Sequence, residues 1–83
     1  MPDYCYILFS HKLNKYYVGS TTDMGRRLED HNRGKEKYTR RGLPWVLVYK
    51  EEFGDLGSAR KREGYIKGMK SRKFIERLIS PVE

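Results

Sequence analysis

Only one cysteine, Cys5, occurs in the 83 residues. That excludes an intrachain disulfide and any zinc site built on cysteines. Cys5 lies in an apolar stretch, where a small buried side chain is the simpler reading and a reactive thiol the less natural one. No apolar run approaches the ~20 residues of a membrane-spanning helix. The opening MPDYCY lacks the basic-then-apolar pattern of a secretory signal. There is no GKS/T phosphate loop, no HExxH and no GxSxG, so P-loop, zinc-hydrolase and serine-triad chemistry find no support. Repeats, low-complexity tracts and linkers are missing too. The expectation is one domain over residues 1–83, without a membrane and cytoplasmic.

What is present is charge and tyrosine. Eighteen Lys and Arg against eleven Asp and Glu give +7, which favours a polyanionic partner, nucleic acid before membrane. A chain this short has a thin core, so its seven tyrosines, three phenylalanines and one tryptophan must supply much of the buried area.

YCYILF (4–9) and KYYVGS (15–20) read as two strands joined by a turn at HKLNK, and WVLVYKEEF (45–53) as a third. Between them lies a predicted helix over 24–33, capped by Asp23 and stopped by Gly34, followed by a basic loop over 34–44. After the third strand, Ser58 is the expected cap of a helix over 59–70, and Ser71 the cap of a short helix ended by Pro81. The fold class is α/β (α+β): a small three-stranded antiparallel sheet flanked by helices.

Winding residues 24–33 at 100° per residue puts Met24, Arg27, Leu28 and His31 on one face and Arg26, Glu29, Asp30 and Arg33 opposite. Arg27 and His31 therefore point at the sheet, and Arg26 at solvent. In the second helix Ala59, Ile66 and Met69 define the inner side, with Glu63 among them. An inward carboxylate needs a partner. The plain account of Glu63 is a snorkelling residue or an ion pair with Arg27, and that of His31 a core-edge histidine bonded to backbone.

A chemical account is also open. Arginine pairs bidentately with phosphate. One carboxylate suffices for a Mg²⁺ ion that keeps its waters and binds substrate phosphate. A tyrosine beside a metal and an arginine favours its phenolate and becomes a base. Segments 26–42 and 60–73 each hold seven Lys and Arg, against three acids and one respectively. From these, Arg33, Lys35, Lys37, Arg40, Arg41, Arg60 and Lys67 are the candidate phosphate contacts, with Tyr38 placed to stack on a base. The alternative for the charge runs is a solvated face.

At these residues the sequence resembles the GIY-YIG nuclease superfamily. YCY (4–6) matches the GIY triplet and YVG (17–19) the YIG triplet, making Tyr6 and Tyr17 the signature tyrosines. Arg27 falls at the family's catalytic arginine, His31 at its frequent histidine, and Glu63 at its metal-binding glutamate. HNRGKEKYTRRGLPWVLVYKEEF and SARKREGYIK resemble a small single-domain bacterial branch of uncharacterised members. They are also similar to the nuclease domain of the eukaryotic endonuclease that cuts branched DNA. The first triplet departs from the pattern in having Tyr4 for glycine, and no asparagine follows Asn32. The resemblance implies an endonuclease using one Mg²⁺ or Mn²⁺ ion on DNA, branched, flapped or containing single strands, in repair or recombination. It implies catalytic roles for Tyr6, Tyr17, Arg27, His31 and Glu63, with Glu63 the metal ligand. Tyr6 is the preferred base, though sequence does not decide between the tyrosines. The usual extra DNA-binding domain is missing, so a partner protein supplying DNA specificity is expected, and the chain itself is a monomer or weak dimer. The rival is a non-catalytic nucleic-acid-binding module with Arg27 and Glu63 as an internal ion pair.

Overall fold

The computed structural model describes residues 2–37 and 39–81. Strands β1 (Asp3–Ser10), β2 (Lys15–Thr21) and β3 (Trp45–Phe53) form an antiparallel sheet in the order β2-β1-β3. Tight reversal between β1 and β2 is possible because Asn14 takes φ 54°, a left-handed conformation that asparagine tolerates well. β1 and β2 pair without a shift, Tyr6 opposite Gly19 and Leu8 opposite Tyr17. β1 and β3 slip by one residue between Ile7 and Leu8, so the irregularity falls on the β3 side.

Central β1 is buried on both faces, which explains its unbroken apolar run. Cys5 and Ile7 point one way, into a core with Val18 and Ile66. Tyr6 and Leu8 point the other way, to Met24 and Trp45. Helix α1 (Met24–Asn32) covers the Tyr6 face, while α2 (Leu56–Met69) and α3 (Arg72–Ile79) cover the Cys5 face.

The helix caps decide the boundaries. Asp23 accepts from Arg26 N–H, and Gly34, at φ 75°, follows the end of α1. α2 starts three residues before the position expected from Ser58. Asp55 is the cap, taking the Ser58 N–H at 2.7 Å, so Ser58 sits inside the first turn. A carboxylate near helix amides outcompetes the hydroxyl. α2 ends at left-handed Lys70, and Ser71 caps α3 through the Phe74 N–H. The expected inner position of Met69 is corrected: it lies past the last packed turn and is 43% exposed. The basic loop contains a short 3₁₀ turn, Arg40–Gly42. No helix among the described residues is long and apolar enough to cross a membrane.

Candidate active site

The site begins with the Tyr6 ring, which lies flat across the sheet toward β2. A Cβ at Gly19 would stand 2.5 Å from the Tyr6 hydroxyl, so the strand must lack a side chain where the ring crosses it. The glycine of the second triplet is therefore room for the tyrosine of the first. Tyr6 is fully buried, yet its hydroxyl has two polar neighbours delivered by α1. Arg27 Nε–H donates to it at 3.3 Å, and His31 Nε2 lies at 3.2 Å. Arg27 and His31 are one helical turn apart on the inward face, as the wheel requires, while Arg26 is exposed. The Tyr17 ring packs edge-on against His31, centroids 4.9 Å apart, and its hydroxyl supports the Arg27 charge.

One turn of the loop after α1 closes the cluster from outside. Thr39 N–H bonds to Glu36 C=O at 3.2 Å, making a turn whose two ends each meet one α1 side chain. The Glu36 carboxylate pairs with Arg27 Nη2. Thr39 Oγ1 lies 3.1 Å from His31 Nδ1. Trp45 Nε1–H ties the Thr39 carbonyl at 2.6 Å. Sequence reasoning missed Glu36 and Thr39. The signal for Glu36 was an acid in an otherwise basic loop, but nothing local marks Thr39.

Burial pushes the Tyr6 hydroxyl up to about 12, against the pull of the Arg27 hydrogen bond. Without a metal ion beside it, removal of the ring from water outweighs the guanidinium, and Tyr6 holds its proton at pH 7. Burial, aided by the Arg27 charge, also pushes His31 below its usual range, so the ring is neutral. Arg27 is held protonated, chiefly by its bond to Tyr6.

Glu63 approaches from the opposite face of the sheet. Ser20, next to Gly19 on edge strand β2, donates its hydroxyl to Glu63 Oε1 at 2.6 Å. Lys67, one turn on, holds Oε2 at 2.6 Å. Burial alone would raise the carboxyl, but the bonds from Lys67 and Ser20 hold it low and ionised. The expected Arg27–Glu63 ion pair is not formed, because each charge has a nearer partner on its own side of the sheet. The two halves meet over the edge strand, and the Glu63 charge is felt at Tyr6.

Among the described residues, no three His, Cys, Asp or Glu side chains converge to cage a metal ion. Glu63 fits the more open alternative. It is a half-buried, ionised oxygen donor whose Lys67 partner is exposed enough to yield to solvent.

Two hollows flank Tyr16 and Tyr17 along the β2 edge. One, of about 550 Å³, is rimmed by Lys37, Arg40 and Arg41. The other, of about 450 Å³, is rimmed by Lys67, Lys70 and Arg72. Lys15, not singled out from the sequence, borders both. Arg33 and Lys35 lie further out, beside Glu29 and Asp30, and Arg60 is exposed on α2. Tyr38 lies outside the described residues.

The comparisons with known proteins agree with this architecture. Residues 2–75 match the GIY-YIG catalytic domain. The UPF0213 protein of Streptococcus pneumoniae is 44% identical over 68 residues, 81% of this chain and 68% of that protein. That of Staphylococcus haemolyticus is 45% identical over 65 residues, 77% and 78% of the two chains. The solution structure of the UPF0213 protein BH0048 from Bacillus halodurans superposes with a TM-score of 0.60 at 40% identity, covering 96% of this chain and 84% of that one. With its tyrosine pair meeting an arginine and a histidine across the hairpin, and its match over nearly the full length, the chain belongs to the GIY-YIG family.

Proposed function

We propose that the protein is an endonuclease that hydrolyses DNA phosphodiester bonds with one Mg²⁺ or Mn²⁺ ion held at Glu63. The observation that carries this reading is Tyr6. A buried phenol whose ring packs in the core, with its hydroxyl held between a guanidinium and a neutral imidazole over the Gly19 gap in an edge strand, is placed for chemistry as well as packing. Arg27 meets the scissile phosphate and stabilises charge as it builds on the phosphoryl oxygens. Tyr6 takes the proton of the attacking water, Tyr17 holds the water or phosphate in place, and His31 supports both rings. The ion, when bound, supplies Lewis-acid polarisation of the phosphate.

DNA would run along the β2 edge between the two cationic hollows, its backbone on Lys37, Arg40, Arg41 and Lys67. Branched, flapped or single-strand-containing DNA is the proposed substrate, because one small edge offers few contacts to a continuous duplex. Repair or recombination in the cytoplasm, a partner protein that adds specificity, and a monomer or weak dimer complete the reading. The rival, a non-catalytic nucleic-acid-binding module, would keep Arg27 and Glu63 only as structural ion pairs, Arg27 with Glu36 and Glu63 with Lys67.

The test is cleavage of plasmid and synthetic branched DNA with Mg²⁺ or Mn²⁺ against EDTA, comparing the parent with Glu63→Gln. The expected outcome is loss of cutting with DNA affinity kept. Equal cutting by both proteins would remove Glu63 from the chemistry.

A further inference from the structure

Thr39 has no obvious reason to be buried. It comes from a polar loop, is fully enclosed, and spends its hydroxyl on a histidine eight residues earlier. We propose that Thr39 is a positioning residue that fixes the tautomer of His31, keeping the proton on Nδ1 and turning the Nε2 lone pair toward the Tyr6 hydroxyl. The inference rests on the nuclease reading for its catalytic meaning, but not for its geometry.

The hydrogen-bond chain has only a few consistent assignments. A neutral His31 carries one N–H and one lone pair. Tyr6 Oη already accepts from Arg27 Nε–H, so its own hydrogen needs an acceptor, and Nε2 is 3.2 Å away. Nδ1 then carries the ring hydrogen and donates to Thr39 Oγ1. Thr39 in turn donates its hydroxyl to the Glu36 carbonyl at 3.4 Å. In the opposite tautomer two donors would crowd Tyr6 Oη while its own hydrogen lost this partner. The loop backbone keeps the hydroxyl in place, through the Thr39 N–H to Glu36 and the Trp45 indole on the Thr39 carbonyl.

This orientation gives the Tyr6 proton somewhere to go. As the water oxygen bonds to phosphorus, a water proton moves to Tyr6 Oη and the Tyr6 proton moves to Nε2, leaving an imidazolium. The phosphorus bond to the leaving oxygen breaks, that oxygen takes a proton from solvent, and the imidazolium later returns its proton through Tyr6 Oη, by which it came. No free phenolate is required. The groups facing His31 are Arg27 and Asp30 on α1, Glu36 on the loop, Tyr6 on β1 and Tyr17 on β2. Arg27 opposes the imidazolium, while Glu36 and Asp30 favour it. Phosphate bound to Arg27 offsets the opposing charge, so His31 gains basicity when substrate arrives.

The test is the ring-nitrogen spectrum of His31 by ¹⁵N NMR in the parent, Thr39→Ser and Thr39→Val, with folding followed by circular dichroism. The parent and Thr39→Ser are expected to show Nδ1 protonated and Nε2 bare, and Thr39→Val a mixed or reversed tautomer. Single-turnover cleavage should fall ~10-fold or more in Thr39→Val with an altered pH profile, and recover in Thr39→Ser, in keeping with the ~10²–10⁴ range of acid–base assistance. A protonated Nε2 in the parent, or an unchanged tautomer in folded Thr39→Val, overturns the proposal. If Thr39→Val does not fold, Thr39→Ala, which also removes the hydroxyl, carries the same comparison. A parent with the expected tautomer that cuts no DNA would overturn the nuclease reading and leave the role of Thr39 intact.

Discussion

The two faces of the sheet are built on opposite plans. Beneath α2 and α3, Cys5, Ile7, Val18 and Ile66 form an apolar core with no polar side chain at its centre. Beneath α1, the Tyr6 face buries a phenol, an imidazole and a hydroxyl, each with a partner, alongside Leu8, Met24 and Trp45. No buried side-chain polar atom among the described residues lacks a hydrogen bond. One face gains from removal of oil from water; the other exchanges some of that gain for groups held in fixed orientation. The difference teaches that stability and chemistry are divided across a layer one strand thick, with Glu63 the one candidate catalytic group on the apolar side.

Breaking the apolar face should have the largest effect. Ile66→Ala is expected to cost ~2–5 kcal/mol, the range for truncating a buried isoleucine, and in so small a domain much of the fold with it. Urea denaturation reads this directly, and a loss below ~1 kcal/mol would show that the face is not the structural one. On the other face, Arg27→Ala is expected to lower single-turnover cleavage by ~10²–10³, as for loss of a preorganised donor, with the fold retained. Arg26→Ala should change it only a few-fold, because an exposed, screened charge adds little. Equal losses would place the helix face elsewhere.

The next effect is in alkali, where burial raises Tyr6 on one face and Cys5 on the other, Tyr49 beside Ile7 being raised as well. Burial raises Tyr6 from 10 to about 12, and Cys5 from 9 to about 11, with Glu51 and Glu63 adding to the thiol. A group raised on folding holds its proton better in the native state. Its stabilisation is therefore complete below the unfolded value and is lost as pH rises through the folded one. For Tyr6 that window is pH 10–12 and the loss ~2–3 kcal/mol at ~1.4 per unit. For Cys5 the window opens one unit earlier. Denaturation from pH 8 to 12 should show both steps, with Cys5→Ala removing only the earlier. The smallest effect belongs to Glu36. Its carboxylate occupies the fork that phosphate needs, so Glu36→Gln should tighten DNA binding a few-fold in a fluorescence titration. Weaker binding would mean that Glu36 aims Arg27 and does not compete for it.

Much of this was legible in the sequence because it depends on local periodicity. β3 runs from Trp45 to Phe53 as expected, and the wheel over 24–33 separated Arg27 from Arg26. The start of α2 was misread because two cap residues stood three apart and the carboxylate won. Partner choice was not legible. Arg27 meets Glu36 and Glu63 meets Lys67, since the sheet itself separates Arg27 from Glu63, and a helical wheel gives direction but not which side of a sheet an element covers. The burial of Tyr6 was not legible either, because it depends on Trp45 and α1 closing over the ring, a tertiary property. Thr39 was invisible for the same reason.

One feature of β1 reaches beyond its packing. Its neighbours in sequence, Cys5 and Tyr6, serve opposite faces, and β2 pairs with it without a slip. A shift of β1 by one residue would turn every side chain over. Tyr6 would then lie under Ile66 with its hydroxyl in oil, Cys5 would face Arg27, and Gly19 would leave its gap opposite Cys5 or Ile7, which have no ring to fill it. A misregistered hairpin thus loses its core and its chemistry in the same step. The protein carries its own proofreading: a molecule in which Tyr6 meets Arg27 and His31 is one whose first two strands have paired correctly.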